Sequence, residues 1–224
     1  MRLEEIQQPY DYVISLGAAC MPAFQLKMNN LRSFSGPFDW MGSPDAKDVA
    51  RLLRNRFDKF MLKENMTIVE TAFHNTIDDN DNFVISHTYM LKDELNNIVS
   101  GHDFPVIPGK DWTDGYPEFR VKIDRRINRF YDRLQNSRSC LFVRMSASYE
   151  DAVELRSALA SVTGGQFNLL VINTMPNLSE MIISPAGWEL DNVCCVIIPE
   201  TPGNWRGDYN VWRQLLGGIT LLKP

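Results

Sequence analysis

The residue of this chain best placed to do chemistry is Cys20, where a short apolar strand runs into a helix. Tyr12-Val13-Ile14-Ser15-Leu16 is β-branched and is closed by Gly17. Ala18-Ala19-Cys20 and Met21-Pro22-Ala23-Phe24-Gln25-Leu26 follow. Pro22 suits the first turn of a helix, where its missing N–H costs nothing. Phe24, Met28 and Leu31 recur at helical spacing and predict an apolar face. Cys20 then falls at or just before a helix N-terminus, where unpaired N–H groups and the positive end of the dipole favour an anion. Such a setting lowers the pKa of a thiol and makes it a nucleophile. The competing reading is a small buried hydrophobe, which is what most free cysteines are.

A nucleophilic thiol needs a base, and the base needs an orienting partner. The chain has three histidines. His74 lies in a polar stretch and reads as a surface residue. His87 ends a strand and suits a core position. His102 lies in a loop and is followed by Asp103 and Phe104. Neighbouring side chains on extended backbone point opposite ways, so adjacency alone does not bring Asp103 to the His102 ring. Asn173, at a strand end, and Asp39 are the other candidate orienters.

The sequence calls for no metal and no cofactor. Cys20, Cys140, Cys194 and Cys195 match no zinc spacing. Cys194 and Cys195 fall on opposite faces of a strand, and with Cys140 they read as core. The run Asp78-Asp79-Asn80-Asp81-Asn82 reads as a solvated turn, without the Gly and distal Glu of an EF-hand. A length of 224 residues, 44% of them hydrophobic, suits a single domain over 1–224 that buries a core without staples. The net charge of −5 argues against a nucleic-acid partner. No run approaches the roughly 20 apolar residues of a membrane span, and no apolar segment follows Met1-Arg2-Leu3-Glu4-Glu5. A cytoplasmic protein with no membrane contact and reduced cysteines is therefore expected. Its substrate, a peptide or a small molecule, and its oligomeric state are not encoded in these features.

The elements that must position the thiol read as follows. Arg32 to Trp40 is an aromatic, Pro/Gly-punctuated loop, with Ser35 to Trp40 expected at the mouth of the site. A helix of about ten residues spans about 15 Å, and the loop is long enough to fold back over it. Ser43 caps the next helix with Pro44 at its first position, and Val49, Leu52, Leu53, Phe57 and Phe60 form its buried stripe. Residues 64–118 are the least regular, with a strand at 83–87. A helix over 117–136 buries Phe119, Ile123, Ile127, Phe130 and Leu134, and Lys122, Arg126, Arg129 and Arg133 read as its solvated face. The last third reads as β-α-β. The strand Leu141-Phe142-Val143 precedes a helix capped by Ser148 with Asp151 and ended by Gly164-Gly165. Strands at 167–172 and 193–198 and a closing helix over 209–216 complete it. Continuous apolar strands predict an α/β fold with a mainly parallel sheet flanked by helices. Phe34 to Trp40, Trp112, Tyr116 and Trp205 could stack on a sugar, but core and loop anchoring explains them more simply.

Ile14-Ser15-Leu16-Gly17 through Cys20, Leu26, Leu31-Arg32 and Ser35-Gly36-Pro37-Phe38-Asp39-Trp40 together resemble the opening motif of a family, domain-of-unknown-function 1796, described as papain-like cysteine peptidases. His102-Asp103-Phe104 is similar to its histidine motif. Leu141 to Arg144 and Leu169 to Asn173 are similar to its C-terminal strands. The resemblance implies Cys20 as nucleophile and His102 as base, with Asp103 the motif-matched candidate for the third member. Beside these, Gly17, Asp39 and Trp40 are expected to line the site, Asp39 facing either the cleft or a backbone turn. It also implies an alternative architecture, a papain-like α+β fold with the cysteine on a central helix and the histidine in an antiparallel sheet. The strand-Gly-x-x-nucleophile opening is similar, too, to serine esterases of the flavodoxin-like class. The expected function is that of a thiol hydrolase or acyltransferase working through a Cys20 acyl-enzyme. The other class considered is a non-catalytic ligand- or carbohydrate-binding α/β domain.

Overall fold

A computed structural model describes residues 1–77, 83–183 and 188–222. The chain begins with α1 (Leu3–Ile6), β1 (Pro9–Tyr10), β2 (Tyr12–Ser15), α2 (Met21–Met28), β3 (Met41–Gly42) and α3 (Ala46–Arg54). It continues with β4 (Met66–Ile77), β5 (Phe83–Asp93), β6 (Ile98–Ser100), α4 (Tyr116–Asn136), β7 (Ser139–Met145) and α5 (Tyr149–Val162). It closes with β8 (Gln166–Met175), β9 (Ile182–Ile183), β10 (Val193–Pro199), α6 (Tyr209–Leu216) and β11 (Thr220–Leu221).

The larger sheet has the strand order β2-β7-β8-β10-β9. Its first four strands are parallel and β9 is antiparallel to β10. The expected mainly parallel sheet is thus present, and for the expected reason: strands covered on both faces read as near-continuous apolar runs. Alternate residues feed two cores. Phe142, Leu169, Val171 and Cys195 pack with residues of α3, α4 and α5. Leu141, Val143, Leu170, Ile172, Cys194 and Val196 pack with residues of α1, α2 and α6. Cys194 and Cys195 do lie on opposite faces. The capping box of α5 forms as read, with Ser148 Oγ accepting from Asp151 N–H and the Asp151 carboxylate accepting from Ser148 N–H.

A second sheet, antiparallel and ordered β3-β6-β5-β4, fills the stretch that read as least regular. Its long β4–β5 hairpin shows no clean alternation in sequence because Thr67 to Thr71 are exposed consecutively on the edge strand. The Asp78 to Asn82 turn lies outside the described residues.

Three local expectations are corrected. The cap of α3 is Asp45, whose side chain accepts from Lys47 N–H, and Ser43 is used elsewhere. That helix ends at Arg54, so Phe57 and Phe60 are buried from the loop beyond it. In α2, the five consecutive residues Pro22 to Leu26 are buried while Met28 is exposed, so this helix is embedded rather than amphipathic. Among the described residues no helix is long and apolar enough to cross a membrane.

Candidate active site

Strand β2 leads to the carboxyl end of the parallel sheet, the edge where open α/β folds place their ligands. Leu16 N–H still pairs with Val143 O at 2.8 Å, and the chain then reverses through Gly17 (φ +75°) and Ala18 (φ +86°). A Cβ at Gly17 would lie 2.9 Å from Ser43 Oγ and 3.2 Å from Phe38 O, so only glycine fits. Ala18 holds a backbone conformation that costs an L-residue about 1 kcal/mol. The surroundings hold it there. Ala18 N–H donates to Ser43 Oγ at 2.9 Å, and Ser43 N–H returns a bond to Ala18 O at 3.1 Å.

Ser43 is in turn fixed by Arg144, at the end of β7. Its guanidinium donates to Ser43 Oγ at 2.7 Å, Ser43 O at 2.6 Å and Leu16 O at 3.0 Å. Arg144 is fully buried on these neutral acceptors, and burial brings its pKa down to about 10. The turn that presents Cys20 is therefore stapled from beneath by a cation that, among the described residues, touches no carboxylate.

Cys20 is the first residue to take helical angles (φ −73°, ψ −20°) ahead of α2. Its Sγ faces His102 Nε2 at 3.2 Å. Burial, with the Asp103 and Asp39 carboxylates adding to it, pushes the thiol up to about 12. This corrects the expectation of a depressed thiol. Helix α2 has only eight residues, and its dipole is outweighed by desolvation and two negative charges.

His102 arrives from the antiparallel sheet, just after β6. The loop that carries it is pinned along β5. Thr88 Oγ1 donates to Gly101 O at 2.6 Å, and Tyr89 N–H to Phe104 O at 2.8 Å. The ring meets Trp40 edge-on at 6.4 Å and His74 at 5.7 Å between centroids. Burial lowers the His102 pKa, Asp103 opposes this, and His74 adds to the lowering. Burial thus favours the neutral thiol and the neutral imidazole in this pair. His102 Nδ1 is buried and makes no hydrogen bond to a described residue.

The candidate orienters are engaged elsewhere. Asp103 accepts from Ser100 Oγ at 2.6 Å and from Lys122 Nζ at 2.5 Å. Burial works against its ionisation, but Lys122 and Ser100 hold its pKa below the ordinary carboxylate value. Asp39 accepts from Arg32 Nη1 and from Gly36 N–H, both at 3.0 Å, and so closes the turn before Trp40. Burial raises its pKa against the pull of Arg32 and Gly36. Asn173 bonds both the N–H and the carbonyl of Ala147 at 3.0 Å, and His87 stacks on Phe73 at 4.5 Å.

The structure therefore brings Cys20, His102 and Trp40 into one cluster, with Gly17 in the turn below and Asp39 and Asp103 as buried charges behind. Phe38 is a core plug against Phe57, whereas Trp40 is half-buried under the Arg32 guanidinium at 5.2 Å. Trp112 packs on Phe104 and Trp205 on Phe24, as anchors. Sequence reasoning missed His74, which only the pairing of β4 with β5 brings to His102. It missed Arg144 too, whose one signal is an arginine ending the apolar strand Leu141-Phe142-Val143. Among the described residues no group of three His, Cys, Asp or Glu side chains is placed to hold a metal ion.

A cysteine at a helix N-terminus facing a histidine borne by an antiparallel sheet is the pairing expected of papain-like cysteine peptidases. The profile of the family described as “Putative papain-like cysteine peptidase (DUF1796)” matches residues 11–175, and the chain belongs to that family. An uncharacterized protein of Acanthamoeba polyphaga mimivirus is 25% identical over 217 residues, which cover 91% of this chain and 96% of the viral protein. No solved structure matches the chain significantly.

Proposed function

We propose that the protein is a thiol hydrolase or acyltransferase that works through an acyl-enzyme on Cys20. The observation that carries this reading is the 3.2 Å approach of Cys20 Sγ to His102 Nε2. The pair starts neutral, so His102 acts as a general base rather than as half of a standing ion pair. Its Nε2 takes the thiol proton as Sγ attacks a carbonyl carbon. The oxyanion is met by the N–H groups at the open end of α2, where Pro22 supplies none and the neighbouring residues do. The imidazolium returns the proton to the leaving group, and a thioester remains. Water, or another acceptor, then attacks with His102 again as base and frees Cys20.

Asp103 assists through its charge. It favours the imidazolium from behind without bonding to the ring. Trp40 forms the wall on the Arg32 side with Asp39 buried behind it, and Gly17 fixes the turn. The substrate is a peptide or small molecule carrying an amide, isopeptide or thioester. The reading includes one working domain over 1–224 and a reducing, cytoplasmic setting, in keeping with four free cysteines.

The test is acylation by p-nitrophenyl acetate. A burst of p-nitrophenol with one acetyl group mapped to Cys20, absent in Cys20→Ala and strongly reduced in His102→Ala, supports the reading. Acetylation spread over the other cysteines, or indifferent to His102, would overturn it.

A further inference from the structure

The basic stripe of α4 is not the solvated face that its sequence suggests. Lys122 reaches back to Asp103, next to the histidine. Arg129 donates to Ser35 O at 3.0 Å and lies over Phe34, in the loop that carries Asp39 and Trp40. Arg133 bonds Tyr12 OH at 3.1 Å. Arg126 stands four residues after Lys122 and three before Arg129, on the same helix face. It therefore lies where the His102 arm and the Trp40 arm of the site converge.

Arg126 differs from its neighbours in one respect. It is half-buried, and no described residue gives it a hydrogen bond or an ion pair. Its charge is nevertheless felt at both Asp39 and Asp103, whose own cationic partners are Arg32 and Lys122. Four cations, Arg32, Lys122, Arg126 and Arg129, thus surround two carboxylates. The wall carries surplus positive charge in an otherwise acidic protein, and Arg126 is the member with its donors unspent. A guanidinium so placed offers a planar fork for a carboxylate.

We propose that Arg126 is the anion-recognition residue of the Cys20–His102 site, and that the substrate class carries a carboxylate near the acyl group that Cys20 attacks. The proposal rests on the hydrolase reading and gives it a substrate class. The free carboxylate of a peptide C-terminus and an acidic side chain share this chemistry.

The test compares two alkylating reagents of similar size, anionic iodoacetate and neutral iodoacetamide. With both, a carbon–sulfur bond forms at Cys20, iodide leaves, and the thiol proton passes to His102 and on to solvent. The readout is the ratio of the two rates at Cys20, normalised to the same ratio for a free thiol. Wild type should favour iodoacetate, and Arg126→Gln should lower the ratio about tenfold, the smaller end of what focused charge does to an encounter rate. Arg126→Lys should retain most of the preference, and the exposed neighbour variant Arg125→Gln all of it. The preference should shrink as salt is added. Succinate should protect Cys20 at least as well as inorganic phosphate at equal ionic strength, and a marked advantage for phosphate would overturn the carboxylate assignment. Ready labelling by iodoacetamide with a ratio equal to that of a free thiol and indifferent to Arg126 would overturn this proposal alone. Inertness of Cys20 to both reagents would overturn the hydrolase reading with it. Melting curves confirm that each variant is folded.

Discussion

Cys20 Sγ and His102 Nε2 stand 3.2 Å apart although 82 residues separate them in the chain. One comes from the carboxyl edge of a parallel sheet, the other from an antiparallel sheet packed beside it. Both partners are buried enough that their neutral forms are favoured, which makes the pH behaviour of the pair its most direct signature.

Cys20 labelling by iodoacetamide should rise with pH through the titration of His102, whose pKa burial places below the ordinary histidine value. Below that point the imidazolium cannot accept the thiol proton. In His102→Ala the thiol must ionise unaided, with a pKa pushed up to about 12, so labelling at neutral pH should fall at least about tenfold and climb steadily toward high pH. A stopped-flow or quench series across pH reads both curves. A His102→Ala profile identical to wild type would contradict the coupling.

Asp103→Asn should move the acid limb of that profile to lower pH, because Asp103 is the group that raises the His102 pKa. The same variant also tests linkage. The folded-state pKa of Asp103 is lowered, so its contribution is present above the unfolded value and lost as pH falls through the folded one. Denaturant melts should show wild-type stability falling more steeply than that of the variant below about pH 4.

Arg144→Met should cost about 3 kcal/mol, since it strands Ser43 O and Leu16 O in a dry interior and takes one of two donors from Ser43 Oγ. Ser43→Ala should cost about 1–2 kcal/mol by the same reasoning applied to Ala18 N–H. Both should also slow Cys20 labelling per folded molecule, because the turn that aims the thiol loses its staple. Urea melts combined with site-mapped labelling measure the two effects separately. Intact labelling in a destabilised Arg144→Met would make the arginine purely structural.

Asp39→Asn should lose about 2 kcal/mol, because Arg32 is left without its charged partner in a largely buried position. It should also make Cys20 easier to ionise, since the Asp39 carboxylate opposes the thiolate. A shift of the high-pH labelling limb toward lower pH, beside a lowered melting temperature, is the expected pair of results. An unchanged melting temperature would take Asp39 out of the turn-closing role.

Much of this was legible in the residues themselves. Local patterning suffices where the physics is local. The unbroken apolar runs at 141–143, 167–172 and 193–198 become strands buried on both faces, Ser148 and Asp151 cap the helix between them, and Pro22 marks the start of α2. The reversal at Gly17 and the placement of Cys20 beyond it follow from the same short-range rules, and the motif resemblance supplied His102.

The partners of these residues are a different matter. That Ser43 bonds Ala18 rather than capping a helix depends on Arg144, 101 residues further on. That His74 abuts His102, and that Lys122 rather than the His102 ring occupies Asp103, depends on a hairpin and a helix meeting at one edge. The thiol's raised pKa follows from burial by segments distant in the chain, against which the short helix beside it supplies too weak a field. The sequence determined which residues are candidates for the chemistry and which elements hold them. Tertiary structure decided their charge states and companions, because desolvation and electrostatics depend on distance in space rather than along the chain.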